Sequence, residues 1–243
     1  NAGNQYGGPD RWFFMKNDGG MTVSQDTDVP TGQGFGNSYK VDVTTAAGTA
    51  GVNYVALQQR FEGQDLQRIK KGTSNAESLT CSFWIKSTKE GTYIAELYDT
   101  DNNRCVSKSY TVTDSNTWEK KTVTFPADTT GAFNNDNAES LRLYLWMYAG
   151  TYYQGGTLST SWASETAANR AEGQVNACDN AANNIYFTGV QLEVGDTATD
   201  FEHRSYDDEL SKCQRYFWMI KGDNYDKPGI SPFANNASTC RAQ

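Results

Sequence analysis

The stretch "LRLYLWMYAGTYYQGG", Leu141 to Gly156, carries the clearest pattern in the chain. Its first eight residues alternate, with Leu141, Leu143, Leu145 and Met147 on one side and Arg142, Tyr144, Trp146 and Tyr148 on the other. A strand has period two, so one face is aliphatic and the opposite face is aromatic with an arginine at its head. The aliphatic face reads as core. The aromatic face meets either a second layer of protein or a ligand.

The same period recurs along most of the chain. "DRWFFMKNDGGMTVSQ" reads as two strands joined through Asp18-Gly19-Gly20, and "NSYKVDVTTAAG" as a third. "VNYVALQQRFEG" and "LTCSFWIKST" follow, then two strands around an Asp/Asn-rich turn in "GTYIAELYDTDNNRCVSKSYTVT". "TWEKKTVTFP", the alternating stretch itself and "NNIYFTGVQLEVG" complete the series. About nine or ten short strands with turn signals between them, and no helical period before residue 204, predict an all-β fold. The architecture expected is a two-sheet antiparallel jelly-roll sandwich over residues 1–203.

Two segments break the rhythm. Gly150 to Asn184 is longer than connections in compact domains usually are, and such loops tend to be functional or disordered; Tyr152, Tyr153 and Trp162 suggest partial pinning. In "SYDDELSKCQRYFWMI" the period changes to three or four, with Tyr206, Leu210, Cys213 and Phe217 on one stripe. Ser205 caps it, and Asp207, Asp208 and Glu209 sit in the first turn, where the helix dipole favours them. The pattern predicts a connecting helix within 204–220, whose stripe packs on its own sandwich or on symmetry mates, followed by a linker over 221–243 into a further part.

Composition narrows the classes of function. Of 243 residues, 13% are aromatic, which argues against disorder. A formal charge of -8, from 21 Lys+Arg against 29 Asp+Glu, provides no basic surface for phosphate backbones, so nucleic acid is not expected as a partner. No run approaches the roughly 18 apolar residues of a spanning helix, so no membrane insertion is expected.

Catalytic and metal chemistry find little support. The five cysteines, Cys81, Cys105, Cys178, Cys213 and Cys240, show no CxxC spacing and do not cluster with the one histidine, His203, which argues against zinc. They read as buried free thiols of a reducing compartment, with a disulfide framework as the other reading. His203 has no serine elbow or nearby cysteine, and reads as a hinge residue between strand and helix. Glu96 and Glu193 fall on predicted strands and are the carboxylates a glycosidase pair would draw on, though nothing singles them out.

The run Asp99-Thr100-Asp101-Asn102-Asn103 is not an EF-hand, because Arg104 stands where glycine is needed and Tyr110 where a bidentate glutamate is needed. No cofactor is expected; a structural Ca2+ held by strand-end carbonyls and a carboxylate stays open at this stage. Asn236-Ala237-Ser238 matches a glycosylation sequon, a pattern short enough to arise by chance. The candidate ligand surface is therefore the aromatic face, Arg142, Tyr144, Trp146 and Tyr148, with Trp84 and Trp118 as further outward rings. Stacked rings with polar neighbours suit a glycan platform, and coverage by the following loop or by another subunit is the competing reading.

The series "DRWFF", "QQRFEGQDLQRI", "LTCSFWIKS", "TWEKKTVTFP" and "FTGVQLEVGDTATDFEHRSYDDELSKCQRYF" resembles, in order and spacing, a family of bacteriophage structural proteins, notably tail fibres and related appendages. The likeness covers roughly residues 10 to 217, and the sandwich part also resembles jelly-roll carbohydrate-binding modules. It implies a non-enzymatic virion protein, a homotrimer within a fibre or spike, assembled in the host cytoplasm. Its partners would be itself, other virion proteins and a host-surface glycan. The helix stripe Tyr206, Leu210, Cys213 and Phe217 would then serve as an oligomer or junction contact. The alternative is a carbohydrate-binding module of a larger glycan-degrading enzyme.

Overall fold

The computed structural model describes residues 5–6, 12–48 and 51–214. In chain order the strands are β1 (Gln5–Tyr6), β2 (Phe13–Lys16), β3 (Gly20–Asp26), β4 (Ser38–Thr45), β5 (Tyr54–Glu62), β6 (Leu79–Ser87), β7 (Gly91–Asp99), β8 (Arg104–Val112), β9 (Glu119–Phe125), β10 (Glu139–Ala149), β11 (Ala163–Ser164) and β12 (Asn184–Val194), and one helix, α1 (Tyr206–Gln214), follows. The chain divides into two compact units, Asn1–Glu202 and His203–Gln243.

The first unit is a two-sheet antiparallel jelly-roll sandwich. Seven strands in the order β1-β2-β5-β10-β7-β8-β11 face five in the order β3-β4-β12-β6-β9. Every long predicted strand is present. Period-two patterning places Val41 and Val43 of β4, Cys81, Phe83 and Ile85 of β6, Tyr93, Ala95 and Leu97 of β7, and Leu141, Leu143 and Leu145 of β10 in one core between the sheets. Burial of this apolar layer supplies the main driving force for the fold.

One pairing differs from the sequence reading. β2 and β3 do not pair with each other: β2 lies beside β5 in the larger sheet and β3 beside β4 in the smaller one. The Asp18-Gly19-Gly20 segment is a crossing between layers. Gly19 has φ +66°, and a Cβ there would sit 2.9 Å from the Thr45 carbonyl oxygen, so the crossing needs glycine. The β7–β8 hairpin forms as expected, with Asn103 at φ 51° in its turn. A seven-residue 3-10 helix, Gly63–Ile69, fills the path from β5 to β6 and buries Leu66 and Ile69, in a stretch that the sequence reading assigned to no element beyond Gly63.

Cys81, Cys105 and Cys178 are buried free thiols. Burial pushes Cys81 up to about 12, Cys105 to about 11 and Cys178 to about 12, so almost no thiolate exists near neutrality. A thiol reagent applied to the native chain leaves these three unlabelled in a peptide map, and all three label in denaturant. Labelling of any of them without denaturant would mean that the sandwich opens locally.

In the second unit α1 begins where the sequence places it. The Ser205 hydroxyl accepts from the Asp208 amide at 3.2 Å and donates to the Asp208 carboxylate at 2.7 Å. Leu210 of the predicted stripe is exposed. The side chains of Tyr206 and Cys213, and the whole of Phe217, Cys240, Asn236 and the predicted linker 221–243, lie outside the described residues.

Candidate functional site

Three of the four proposed platform residues do share the outer face of β10, and the 150–184 loop covers two of them. Tyr144 and Trp146 are buried in a second apolar layer with Ala56, Ile94 and Ala171, and Tyr54, Tyr98, Tyr153 and Leu158 pack against it. Tyr144 stacks on Trp146 at 5.7 Å, and Tyr153 of the loop meets Trp146 at 5.2 Å. The indole N–H of Trp146 donates to Glu96 at 2.9 Å, and Arg170 of the loop grips the same carboxylate through two bonds of 2.7 and 3.1 Å. The Arg170 guanidinium also lies against the Tyr98, Tyr144, Trp146 and Tyr153 rings, a cation-π cluster around a buried ion pair. Arg142 is half-buried and donates to Glu139 at 2.5 Å and to the Tyr144 hydroxyl at 3.2 Å.

Tyr148 departs from the alternation. The β10–β5 register shifts between Trp146 and Tyr148, which pair with Ala56 and Val55, so Met147 is the extra residue of a bulge. Tyr148 therefore turns inward and joins the core beside Met147. Its expected place on the outer face is corrected by this single bulge. The loop fills the gap that β10 leaves beside β7: the Val175 amide donates to the Thr92 carbonyl at 2.8 Å, the Ala177 amide to Met147 at 2.9 Å, and Gln174 accepts from the Ile94 amide at 2.8 Å.

The carboxylates weighed for catalysis are not brought together. Glu96 lies in the seven-stranded sheet, bound to Arg170 and Trp146. Glu193 lies in the five-stranded sheet and accepts from Thr199, through the amide at 3.1 Å and the hydroxyl at 2.5 Å. His203 is exposed in the second unit. Asp99 accepts from the Asn102 amide and pairs with Lys71, and Asp101 accepts from the Asn134 amide. Among the described residues no group of three or more His, Cys, Asp or Glu side chains is placed to hold a metal ion.

A partly exposed aromatic row lies on the other sheet, with Trp84 and Trp118 half-buried and Tyr186 buried between its neighbours. Tyr39, Val41 and Val43 of β4 face the core, so Lys40 and Asp42 face outward, and the same parity turns Tyr186 and Thr188 of β12 and Trp84 and Lys86 of β6 outward. Trp84 is half-buried, paired with Thr188 on one side and Lys120 on the other. Lys40 and Lys86 flank the Tyr186 ring at 5.4 and 5.2 Å, and Trp118 meets its edge at 6.1 Å. Asp28 ties this row together, pairing with Lys86 and accepting from the Trp118 indole at 2.9 Å. Hydrogen bonds from Lys86 and Trp118 hold the Asp28 carboxyl below the ordinary carboxylate range, so it stays ionised.

Beside Trp84, across Thr188, a cleft of about 480 Å³ enters the sandwich. Its lining combines the apolar side chains of Trp12, Leu57, Phe187, Val190 and Phe201 with the polar residues Ser24, Gln25, Asn37, Ser38, Tyr39 and Thr188. The cleft exists because β12 pairs with β4 only over Asn184–Phe187 and then bulges, with its register on β6 shifting between Thr188 and Gln191. Gly189, at φ +59°, is central to the bulge: a Cβ there would fall 2.4 Å from the Phe35 ring. Phe35 packs edge-on against Phe201 at 5.1 Å and walls this end. A glycine inside the strand pattern "YFTGVQLEV" is the signal that locates this break from sequence.

Neither a protein-family model nor a curated protein matches the chain. Solved structures with a similar fold include the enzymatically active domain of tailspike protein 4 of bacteriophage CBA120, at 15% identity over 78% of this chain and 20% of that one, with a TM-score of 0.44. The chain thus spans one fifth of the tailspike chain. Also similar are the C-terminal family 22 carbohydrate-binding module of Clostridium thermocellum Xyn10B (13% identity, 80% and 92% covered, TM-score 0.41) and the family 11 carbohydrate-binding module of Clostridium thermocellum, solved with a β-1,3-1,4-mixed-linked tetrasaccharide (16% identity, 78% and 92% covered, TM-score 0.38). The likeness is one of fold.

Proposed function

We propose that the sandwich is a non-catalytic glycan-binding module and that the outer face of the five-stranded sheet, centred on Trp84, is its binding surface. The observation that carries this reading is the pairing of a partly exposed indole with a neighbouring cleft that has no charged lining residue. A neutral sugar chain presents C–H faces that suit an aromatic ring and hydroxyls that suit the polar side chains among the lining residues, Ser24, Gln25 and Asn37. The Arg142, Tyr144 and Trp146 face would reach a ligand only if the 150–184 loop were displaced, so it ranks behind Trp84. Replacing Trp84 with alanine is expected to weaken retention on the recognised polysaccharide about tenfold or more, the effect of losing about 1.4 kcal/mol, with the melting temperature nearly unchanged. Retention equal to the parent chain would remove Trp84 from the site.

Within that reading the chain serves as a module of a phage fibre or spike, a homotrimer that presents the sandwich to host-surface glycans. The stretch "FTGVQLEVGDTATDFEHRSYDDELSKCQRYF" and exposed Leu210 on α1 support it, since an isolated nine-residue helix is marginal in water and needs contacts to persist. The second reading is a carbohydrate-binding module of a larger glycan-degrading enzyme. Light scattering after size exclusion separates them: the fibre reading expects a trimer that Leu210→Asp shifts toward monomer, and the enzyme-module reading expects a monomer throughout.

A further inference from the structure

We infer that Trp118 is a second stacking position for the glycan and that Asp28 fixes it in place, so that the surface holds at least two consecutive sugars of an extended chain, an inference that rests on the glycan-binding reading above. Lys120 of β9 lies opposite Trp84 of β6, and Trp118, two positions earlier, therefore shares the outer face and stands diagonal to Trp84. Diagonal neighbours on adjacent strands are about 7 to 8 Å apart, wider than one pyranose ring. Both indoles are half-buried, so each keeps a part open to solvent. Trp118 makes its ring contact with Tyr186, at 6.1 Å and 64°, and not with Trp84, which leaves the two indoles to meet different sugars.

The Trp118 ring is set before any ligand arrives. Its N–H donates to one oxygen of Asp28 at 2.9 Å, and the other oxygen of Asp28 takes the Lys86 ammonium. Asp28 is itself anchored through its backbone: its amide donates to the Asp26 carboxylate at 2.9 Å, and its carbonyl accepts from the Ser38 hydroxyl at 2.6 Å. The turn that leads into Trp118 is tied to the end of β6, with the Asn116 amide donating to the Ser87 carbonyl at 2.8 Å and the Ser115 hydroxyl to the Thr88 carbonyl at 2.9 Å. Asn116, at φ 57°, makes the bend that delivers the indole to the sheet face. An indole ordered in advance loses little freedom when it stacks on a sugar, so this arrangement favours binding. A single sugar uses one ring. A chain that lies across both is held at two linked points, and linking makes the second contact intramolecular, so affinity grows with chain length.

The test titrates the full chain with neutral oligosaccharide ladders of one to six sugars from cellulose, xylan, amylose and mannan, by calorimetry and by NMR of the indole N–H resonances. In a ladder that binds, affinity is expected to rise about tenfold or more from the shortest binding member to the longest. Trp118→Ala should remove most of that rise and leave the shortest member bound as in the parent chain. The indole resonance missing from this variant should be one that moves when the parent is titrated with the longest member. Asp28→Ala should lose the rise in the same way, and Asp28→Asn, which keeps an acceptor for the indole, should restore it; a merely structural role would not separate the two variants by chain length. A rise that survives Trp118→Ala, or a loss equal at every length, overturns the inference while the glycan-binding reading stands on polysaccharide retention through Trp84. A rise that survives Asp28→Ala overturns the role given to Asp28. Absence of binding to every ladder and every polysaccharide overturns both readings.

Discussion

Replacing Trp146 with alanine lowers stability by about 3 to 5 kcal/mol, the range for truncating a buried large aromatic residue. That is a large fraction of the roughly 5 to 15 kcal/mol that separates folded from unfolded domains. The ring is 2% exposed and lies between the sheet and the 150–184 loop, so its removal leaves a cavity that Tyr144 and Tyr153 cannot both fill. It also strips the buried Glu96 carboxylate of one of its donors, leaving Arg170 as its partner among the described residues. The loop, tied to the sheet largely through this layer, then opens more often. Denaturant unfolding reads the first effect and limited proteolysis within 150–184 the second. A variant with parental stability and a protected loop would show that the backbone bonds at Thr92, Ile94 and Met147 hold the loop unaided.

Much of this fold is legible in the sequence because a sandwich is specified by period-two patterning. Each long strand alternates, and the aliphatic set of "LRLYLWM" lies where the alternation puts it. What the pattern lacks is pairing information. The hairpin read at Asp18-Gly19-Gly20 is a crossing between sheets, because a glycine turn next to two alternating strands looks the same in either topology. The bulge at Met147 is likewise silent: all the residues around it are apolar or aromatic, so the inward turn of Tyr148 leaves no polar residue out of place to announce it.

The candidate site was legible only in pieces. Trp84 and Trp118 are outward rings by parity alone, whereas their importance relative to Trp146 depends on which sheet the long loop covers. Nothing local in "GTYYQGGTLSTSWASETAANRAEGQVNACDNAANN" specifies that Arg170 returns to Glu96, a contact spanning 74 positions. The cleft depends on a strand break at Gly189, on Phe35 from one loop and on Phe201 after the last strand. These come together only through the sheet order.

Replacing Lys71 with methionine is the second large effect expected, about 3 to 5 kcal/mol at neutral pH, the range for breaking a buried ion pair by removing one partner. The Lys71 side chain is 2% exposed, and its ammonium contacts Asp99 at 2.6 Å, Asp128 at 3.1 Å, and the Thr130 and Gly131 carbonyls at 2.9 and 2.6 Å. Asp128 also receives the Arg104 guanidinium through bonds of 2.9 and 3.1 Å. This lysine occupies the kind of oxygen cage in which the sequence left room for a structural cation, and methionine fills its volume without its charge. Burial raises the Asp128 carboxyl, but hydrogen bonds from Arg104, Lys71 and the Thr130 amide outweigh burial and hold it below the ordinary range. A carboxylate with a depressed folded value contributes its full stabilisation above its unfolded pKa of about 3.9 and loses it as pH falls through the folded value. The parent chain therefore weakens below about pH 4. The methionine variant, whose Asp128 keeps Arg104 as its cationic partner among the described residues, has less of this contribution to lose. The stability gap between the two, measured by urea unfolding at pH 7 and pH 3, should be widest at pH 7 and narrow in acid. A gap that is the same at both pH values would show that Lys71 stabilises the sandwich through its packing on Phe133 and Trp162 and not through its charge.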